Sequence, residues 1–306
     1  MGITKLHAHL KPLSRDVDVA AYAGCSVGVD ASAWLHRAYH GARADGAADV
    51  EARVAAFFAD YAAALAGRDV RAVLVFDGRG PAAKKAVAGA KAPRGRGSPY
   101  AFAAAARAAA AAAGATCVQA AGEADAELAA RARRGDVCCV LTDDCDLVAL
   151  GAPRCLFAAK LATAGDGRPT LVGSEFELRA LGASGTFLGW PRERFVAFCV
   201  ACGCDYAKNV PGVGPARALA LSAGAADAEV VLQRLLREPR CPEGFADAFR
   251  AAVRLFTAGD EIYELVIEAE RVRRHGPDLL VAPERVRDGP ELRLEALEAR
   301  ARRHGQ

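Results

Sequence analysis

Three short apolar runs, residues 25–29, 70–76 and 137–141, constrain the fold of this chain more than any other feature. Each is continuous rather than alternating, the pattern of a strand buried on both faces, and helix-patterned sequence separates each from the next. Helices are expected over 31–42, 50–66, 100–113 and 123–134, with further short strands at 116–119 and 154–157. Strands and helices alternating in this way predict a doubly wound, mostly parallel α/β sheet. After about residue 187 the pattern turns helical alone, over 192–201, 215–221, 228–237, 245–256 and 261–273. The last stretch is charged and proline-interrupted, with one amphipathic helix expected at 291–303. The implied division is 1–99, with the first strands and a basic segment; 100–186, completing the α/β core; 187–274, helical; and 275–306, a charged extension.

Each of the three runs leads into an acid. The segments are Gly28-Val-Asp30, Val75-Phe-Asp77 and Leu141-Thr-Asp143-Asp144-Cys-Asp146. In an open α/β sheet the carboxyl ends of the strands form the ligand crevice, so these side chains are expected to converge there. A single strand-end aspartate is commonly a helix cap or turn former; three in one sheet point to a site. Another acidic string, Gly122-Glu123-Ala-Asp125-Ala-Glu127, opens a helix pattern. Glu123 and Asp125 lie about 200° apart around an ideal helix, so they share one site only if Glu123 sits at or before the cap. Gly203-Cys-Asp205-Tyr206 places a further acid in the all-helical part. The candidate set is Asp30, Asp77, Glu123, Asp125, Asp144, Asp146 and Asp205.

Seven carboxylates in one crevice repel one another and resist burial unless something neutralises them. Hard divalent cations do so, because Mg²⁺ prefers carboxylate oxygen and keeps part of its water shell. Two such ions roughly 4 Å apart would activate a water and stabilise the leaving oxygen of a phosphodiester. The phosphate then needs protein cations close by. From Gly78 to Gly122 there is no Asp or Glu, while Arg79, Lys84, Lys85, Lys91, Arg94, Arg96 and Arg107 all fall there. Against an overall formal charge of +3, that +7 block leaves the remainder at −4 (3 minus 7). Segregation of this kind suits a polyanion. Val210-Pro-Gly212-Val-Gly214-Pro-Ala-Arg217 adds a tight glycine turn opening onto a helix, whose N–H groups suit a phosphate backbone.

Other classes lose support. A chain of 306 residues that is 53% hydrophobic and 25% charged is neither disordered, collagenous nor a coiled coil as a whole. The most apolar stretch, 101–118, is mostly alanine and contains Arg107, so no membrane partner is expected. Residues 1–16 carry Lys5, Lys11, Pro12 and Arg15 without an apolar core, so no signal peptide is expected, and Leu6 breaks the myristoylation pattern. Ten cysteines without a secretion signal read as reduced intracellular thiols, and Cys199, Cys202 and Cys204 as buried small hydrophobes rather than a zinc knuckle. There is no GxxxxGK[ST] loop and no complete GxGxxG. An aspartyl-phosphate phosphatase would need Asp-x-Asp at the first strand, where Asp30-Ala-Ser32 supplies one acid.

Taken in order, several strings resemble those of the flap endonuclease / xeroderma pigmentosum group G nuclease superfamily, most closely its exonuclease 1 branch. They are Met1-Gly-Ile, Val29-Asp-Ala, Trp34-Leu-His-Arg37, Leu74-Val-Phe-Asp-Gly78 and Lys84-Lys85. Glu123-Ala-Asp-Ala126, Thr142-Asp-Asp-Cys-Asp-Leu147, Gly203-Cys-Asp-Tyr206 and Pro211-Gly-Val-Gly214 continue the series. The resemblance runs from Gly2 to about Arg274. It implies a PIN-like α/β nuclease core, a helix–two-turn–helix region over 187–274, and hydrolysis of DNA with two Mg²⁺. The expected activity is a 5′-to-3′ exonuclease on duplex DNA and an endonuclease on 5′ flaps, in repair or recombination in the nucleus. By position, Asp30, Asp77 and Glu123 would hold one ion, and Asp125, Asp144, Asp146 and Asp205 would hold or support the other. Lys84 matches the arch lysine at the scissile phosphate, and Lys91 stands where the family usually has arginine, keeping a cation but losing the bidentate fork.

Lys85 and Arg217 join the DNA-binding set on the same basis. His36 matches the residue that stacks on the terminal base, and Gly2 would lie near the DNA. The Gly212/Gly214 turn matches the loop that grips duplex backbone, with K⁺. The interval from Asp77 to Glu123 is shorter than in that branch, and Pro93-Arg-Gly-Arg-Gly97 replaces a helical stretch. A shortened helical arch is therefore expected, and with it the alternative of a non-catalytic nucleic-acid-binding relative. No sliding-clamp motif is visible, and a monomer is expected.

Overall fold

The computed structural model describes residues 3, 5–78, 98–182 and 185–258. Seven strands make one sheet: β1 (Arg15–Asp18), β2 (Ser26–Asp30), β3 (Arg71–Phe76), β4 (Thr116–Gln119), β5 (Cys139–Thr142), β6 (Arg154–Thr163) and β7 (Pro169–Glu177). Their order is β1-β7-β6-β5-β2-β3-β4. The run from β6 to β4 is parallel throughout, while β7 pairs antiparallel with both β6 and β1. The chain winds outward from β2 through β3 to β4, then returns to the other flank of β2 as β5. The topological switch point therefore lies between β2 and β5, where open α/β sheets place their ligands.

Ten helices accompany the sheet among the described residues: α1 (Leu6–Leu10), α2 (Ala31–Ala44), α3 (Val50–Ala66), α4 (Ala103–Ala112) and α5 (Ala124–Arg134), then α6 (Asp146–Ala149), α7 (Arg192–Cys202), α8 (Pro215–Ser222), α9 (Ala228–Leu235) and α10 (Phe245–Thr257). Successive strand residues face opposite sides, and the two cores show it. Leu74 and Phe76 pack with Cys139, Leu141 and helices α2, α3 and α4, whereas Val75 and Val140 pack with α5 and α7. On α3, Val54, Phe58, Tyr61 and Leu65 form the buried stripe, and Trp34 of α2 meets Phe58 and Tyr61 edge-on at 5.7 and 5.2 Å. Burying a side chain such as Phe58 stabilises the fold by about 1.5–3 kcal/mol. Asp49 caps α3 by accepting from the Ala52 N–H at 3.0 Å. Asp49→Ala is expected to lower stability by about 1 kcal/mol, read as an earlier urea midpoint with an unchanged slope.

The doubly wound, mostly parallel sheet is as expected, but its flank is not. Strands β1 and β7 were not anticipated, and β6 runs to Thr163 rather than stopping at Phe157. The reason is burial of a charge. Glu175 of β7 is 2% exposed, and it accepts from Tyr22 Oη at 2.6 Å and from Arg15 Nε at 2.7 Å. A buried carboxylate inside a strand is tolerated only with such partners, and it disguises the apolar pattern. The helix expected from residue 100 begins as a 3₁₀ turn, Pro99–Phe102, before α4. The helices expected at 261–273 and 291–303 lie outside the described residues. Among those described, no helix is long and apolar enough to cross a membrane.

Candidate active site

Asp30 is the last residue of β2 and the cap of α2, at the switch point. Its Oδ1 accepts from the Ser32 and Ala33 N–H groups at 2.9 and 3.0 Å, and its Oδ2 from the Thr142 hydroxyl at 3.0 Å. The residue is only 4% exposed. Burial, helped by the neighbouring charges of Asp144 and Asp77, pushes its carboxyl up to about 7, against the pull of the Ala33 N–H and the Thr142 hydroxyl. Thr142 ends β5 and also accepts from the Asp144 N–H at 2.9 Å, so the acids of the two strands share one hydroxyl.

Asp77 follows β3. Its Oδ2 accepts from Ser32 Oγ at 2.7 Å, and its Oδ1 accepts from the Ala124 N–H at 3.0 Å, satisfying the first amide of α5. Glu123 is the cap residue of that helix, in extended conformation (φ −82°, ψ 146°), so it escapes the 200° separation from Asp125. Tyr206, next to Asp205, donates its hydroxyl to Glu123 Oε2. Burial first, then the Glu123 hydrogen bond and the charges of Glu123, Asp146 and Asp125, raise the Tyr206 phenol far above its ordinary value. Asp146 is 1% exposed and accepts from the Ile3 N–H at 2.9 Å; its own N–H donates to Asp144 Oδ1 at 2.9 Å. Shared donors thus join several of the acids at the carboxyl edge of the sheet: Ser32 links Asp30 with Asp77, Thr142 links Asp30 with Asp144, and the Asp146 N–H links Asp146 with Asp144. Asp125 and Asp205 stand next in sequence to Ala124 and Tyr206, which contact Asp77 and Glu123.

Among the described residues, no three carboxylate, histidine or cysteine side chains stand in position to hold one ion as they lie. Asp30, Asp77, Glu123, Asp144 and Asp146 accept instead from N–H and O–H donors. The donor set nonetheless has one character. All seven side chains offer oxygen, and the adjacent thiols are unsuited to metal: burial pushes Cys145 up to about 12 and Cys204 up to about 11. Such a set fits a hard divalent cation rather than zinc.

The other anticipated residues separate into two groups. Gly2, Lys84, Lys85 and Lys91 lie outside the described residues. His36 is half-buried, 5.6 Å from the Tyr100 ring, and burial together with His40 lowers its pKa. Tyr100 also donates to Asp77 Oδ2 at 3.4 Å. Gly212 has φ +92°, the left-handed region, in a turn closed by Val213 N to Val210 O at 2.9 Å, and Gly214 caps α8. Arg217 is engaged by Glu238 at 2.6 Å. Ser32, Thr142 and Tyr206 were missed as site residues, although each lies one or two positions from an acid in sequence. A cavity of about 380 Å³ lined by Arg15, Glu175, Glu177 and Arg179 lies at the opposite, amino edge of the parallel strands.

The XPG N-terminal domain matches residues 1–94, and the XPG I-region matches residues 114–205. The chain is 32% identical over 173 residues to a flap endonuclease 1 of Methanothrix thermoacetophila, covering 52% of this chain and 45% of the relative. It is 27% identical over 301 residues to exonuclease 1 of Xenopus laevis, covering 88% of this chain and 39% of the relative. The chain spans less than half the length of these relatives. Among solved structures, the catalytic core of Rad2 in complex with DNA substrate superposes with a TM-score of 0.60 at 18% identity, over 88% of this chain and 85% of that one, so the PIN-like fold is shared. With the XPG N-terminal domain and the XPG I-region together matching more than half of its residues, the chain belongs to the XPG family.

Proposed function

We propose that this protein is a Mg²⁺-dependent, structure-selective 5′ nuclease that hydrolyses DNA phosphodiesters, working 5′ to 3′ on duplex ends and cutting 5′ flaps, in repair or recombination in the nucleus. The observation that carries the reading is the convergence of acids from three strand ends at the switch point, with Tyr206 of the all-helical part reaching Glu123 beside them. Asp30, Asp77 and Glu123 would hold one Mg²⁺, and Asp125, Asp144, Asp146 and Asp205 the other. The ions would supply an activated water and neutralise charge on the leaving oxygen. The chain's own contribution is to fix those carboxylates and to bring the phosphate to them. Lys84 and Lys91 would engage the scissile phosphate, with Lys85 and Gly2 near the DNA. His36 would stack on the terminal base. The region 187–274 would hold the duplex, its Gly212/Gly214 turn and Arg217 gripping the backbone with K⁺ at the loop.

Labelled 5′-flap, blunt and recessed duplexes test this with wild type and Asp144→Ala. Mg²⁺-dependent cutting is expected, falling at least about a thousandfold in the variant, the equivalent of roughly 4 kcal/mol of lost transition-state stabilisation. Tight binding without turnover at any divalent concentration would sink the nuclease and leave a DNA-binding relative.

A further inference from the structure

Beside the acids lies a set of contacts that none of these roles uses. Strand β6 shifts register against β7 between Phe157 and Lys160. Within the shift Ala158 takes the left-handed conformation (φ 52°), which a residue with a Cβ adopts only under constraint. Gly173 stands opposite and makes the room: an added Cβ would lie 2.7 Å from the Phe157 carbonyl oxygen and 3.1 Å from Ala159 Cα. The bulge directs one backbone group at the acidic loop and another at Arg37 of α2. The Ala158 N–H donates to Asp143 Oδ1 at 3.0 Å. The Ala159 carbonyl accepts from Arg37 Nη1, while Arg37 Nη2 donates to Asp143 Oδ2. Asp143 is thus held through both oxygens, by a helix and by a strand, one residue before Asp144.

We propose that Arg37, Asp143 and the β6 bulge form a clasp that fixes the 142–146 loop, making Arg37 and Asp143 positioning residues for the carboxylates of Asp144 and Asp146. The proposal rests on the reading of those acids as cation-holding groups. Asp30 and Asp77 stand on or directly after strands, but Asp144 lies on a connecting loop and feels the charge of Asp30 across the crevice. The forked guanidinium ties that loop to β6 at two points, Asp143 and the Ala159 carbonyl, which a lysine would do less rigidly. Bulges that aim backbone groups beside a site recur in sheets. Asp143 stays outside the seven acids because its carboxylate is paired with the Arg37 guanidinium and held by the β6 bulge rather than by the donors the other acids share.

Amide hydrogen exchange on the metal-free, DNA-free protein tests the clasp apart from any nuclease activity. In Arg37→Ala and Asp143→Asn, peptides covering 142–147 and 157–160 are expected to exchange at least about tenfold faster, while those of β2 keep wild-type rates. In the same proteins the Mg²⁺ concentration for half-maximal thermal stabilisation is expected to rise about tenfold, with Arg37→Lys intermediate and KM for DNA unchanged. Unchanged exchange in both peptides overturns the clasp, even if cleavage is lost. Faster exchange spread over the whole sheet overturns it too, since the contact would then be general support. A wild type that Mg²⁺ does not stabilise overturns the cation reading instead, and the exchange data identify which of the two has failed.

Discussion

Gly78→Ala is expected to lower stability by about 3 kcal/mol or more and to cut the cleavage rate at least about a hundredfold, although it adds a single methyl group. A Cβ on Gly78 would lie 2.0 Å from the Ala120 carbonyl oxygen and 2.9 Å from those of Ala121 and Gly122. All three obstacles are backbone, so no side chain can swing aside. The segment is also tied down, because Gly78 N donates to Gly122 O at 2.7 Å and Ala120 N to Phe76 O at 2.9 Å. Relief requires residues 120–122 to move outward by an ångström or more, carrying Glu123 and the start of α5 away from Asp77. The contact between Asp77 Oδ1 and the Ala124 N–H then breaks, and two proposed ligands of one ion part company. Urea unfolding measures the first effect, and single-turnover cleavage at saturating Mg²⁺ the second. A variant of wild-type stability would mean that this close approach does not exist in solution.

That crowding also marks the boundary of what the sequence reveals. Residues 70–76 read directly as a strand, because a strand buried on both faces must be apolar throughout, and Asp77 stood out because it ends such a run. The glycine after it reads equally well as a turn former. Its real constraint comes from carbonyls more than 40 residues further on. The same holds for the donors that keep the acids in place: Thr142 meets Asp30 across 112 residues, Tyr206 meets Glu123 across 83, and the Ile3 N–H meets Asp146 across 143. Periodicity sees neighbours on one element, not pairings set by topology. The misread flank follows a related rule. Arg15-Asp-Val-Asp18 carries too many charges to pass for a strand, and it is one only because Glu175 pairs with Arg15 across the register. Glu123 is a partial exception: helix geometry made a cap position the condition for its sharing a site with Asp125, and it occupies the cap, one residue ahead of a helix expected to start at 123.

Asp30→Asn is expected to make the protein more stable and inactive at once. In wild type the folded carboxyl keeps its proton to about pH 7, whereas the unfolded one ionises near 3.8. Between those values the unfolded chain binds fewer protons, so stability falls as pH rises from about 4 through 7 and levels off above, at about 1.4 kcal/mol for each pH unit crossed. Asparagine has no such dependence and keeps an Oδ1 for the Ser32 and Ala33 N–H groups. Without divalent ions the two proteins should therefore differ by only about 1 kcal/mol near pH 4.5, and the variant should lead by a few kcal/mol at pH 8. Mg²⁺ should reverse the order at pH 8, because an ion bound to the native carboxylates stabilises wild type by mass action and finds a weaker site in the variant. Cleavage should drop at least about a thousandfold, the cost of losing a charged ligand. Urea titrations at pH 4.5, 6, 7 and 8, with EDTA or with Mg²⁺, resolve every arm. A stability difference that ignores pH would show that burial and the charges of Asp144 and Asp77 do not converge on Asp30, and the acids would then have to be assigned to separate tasks.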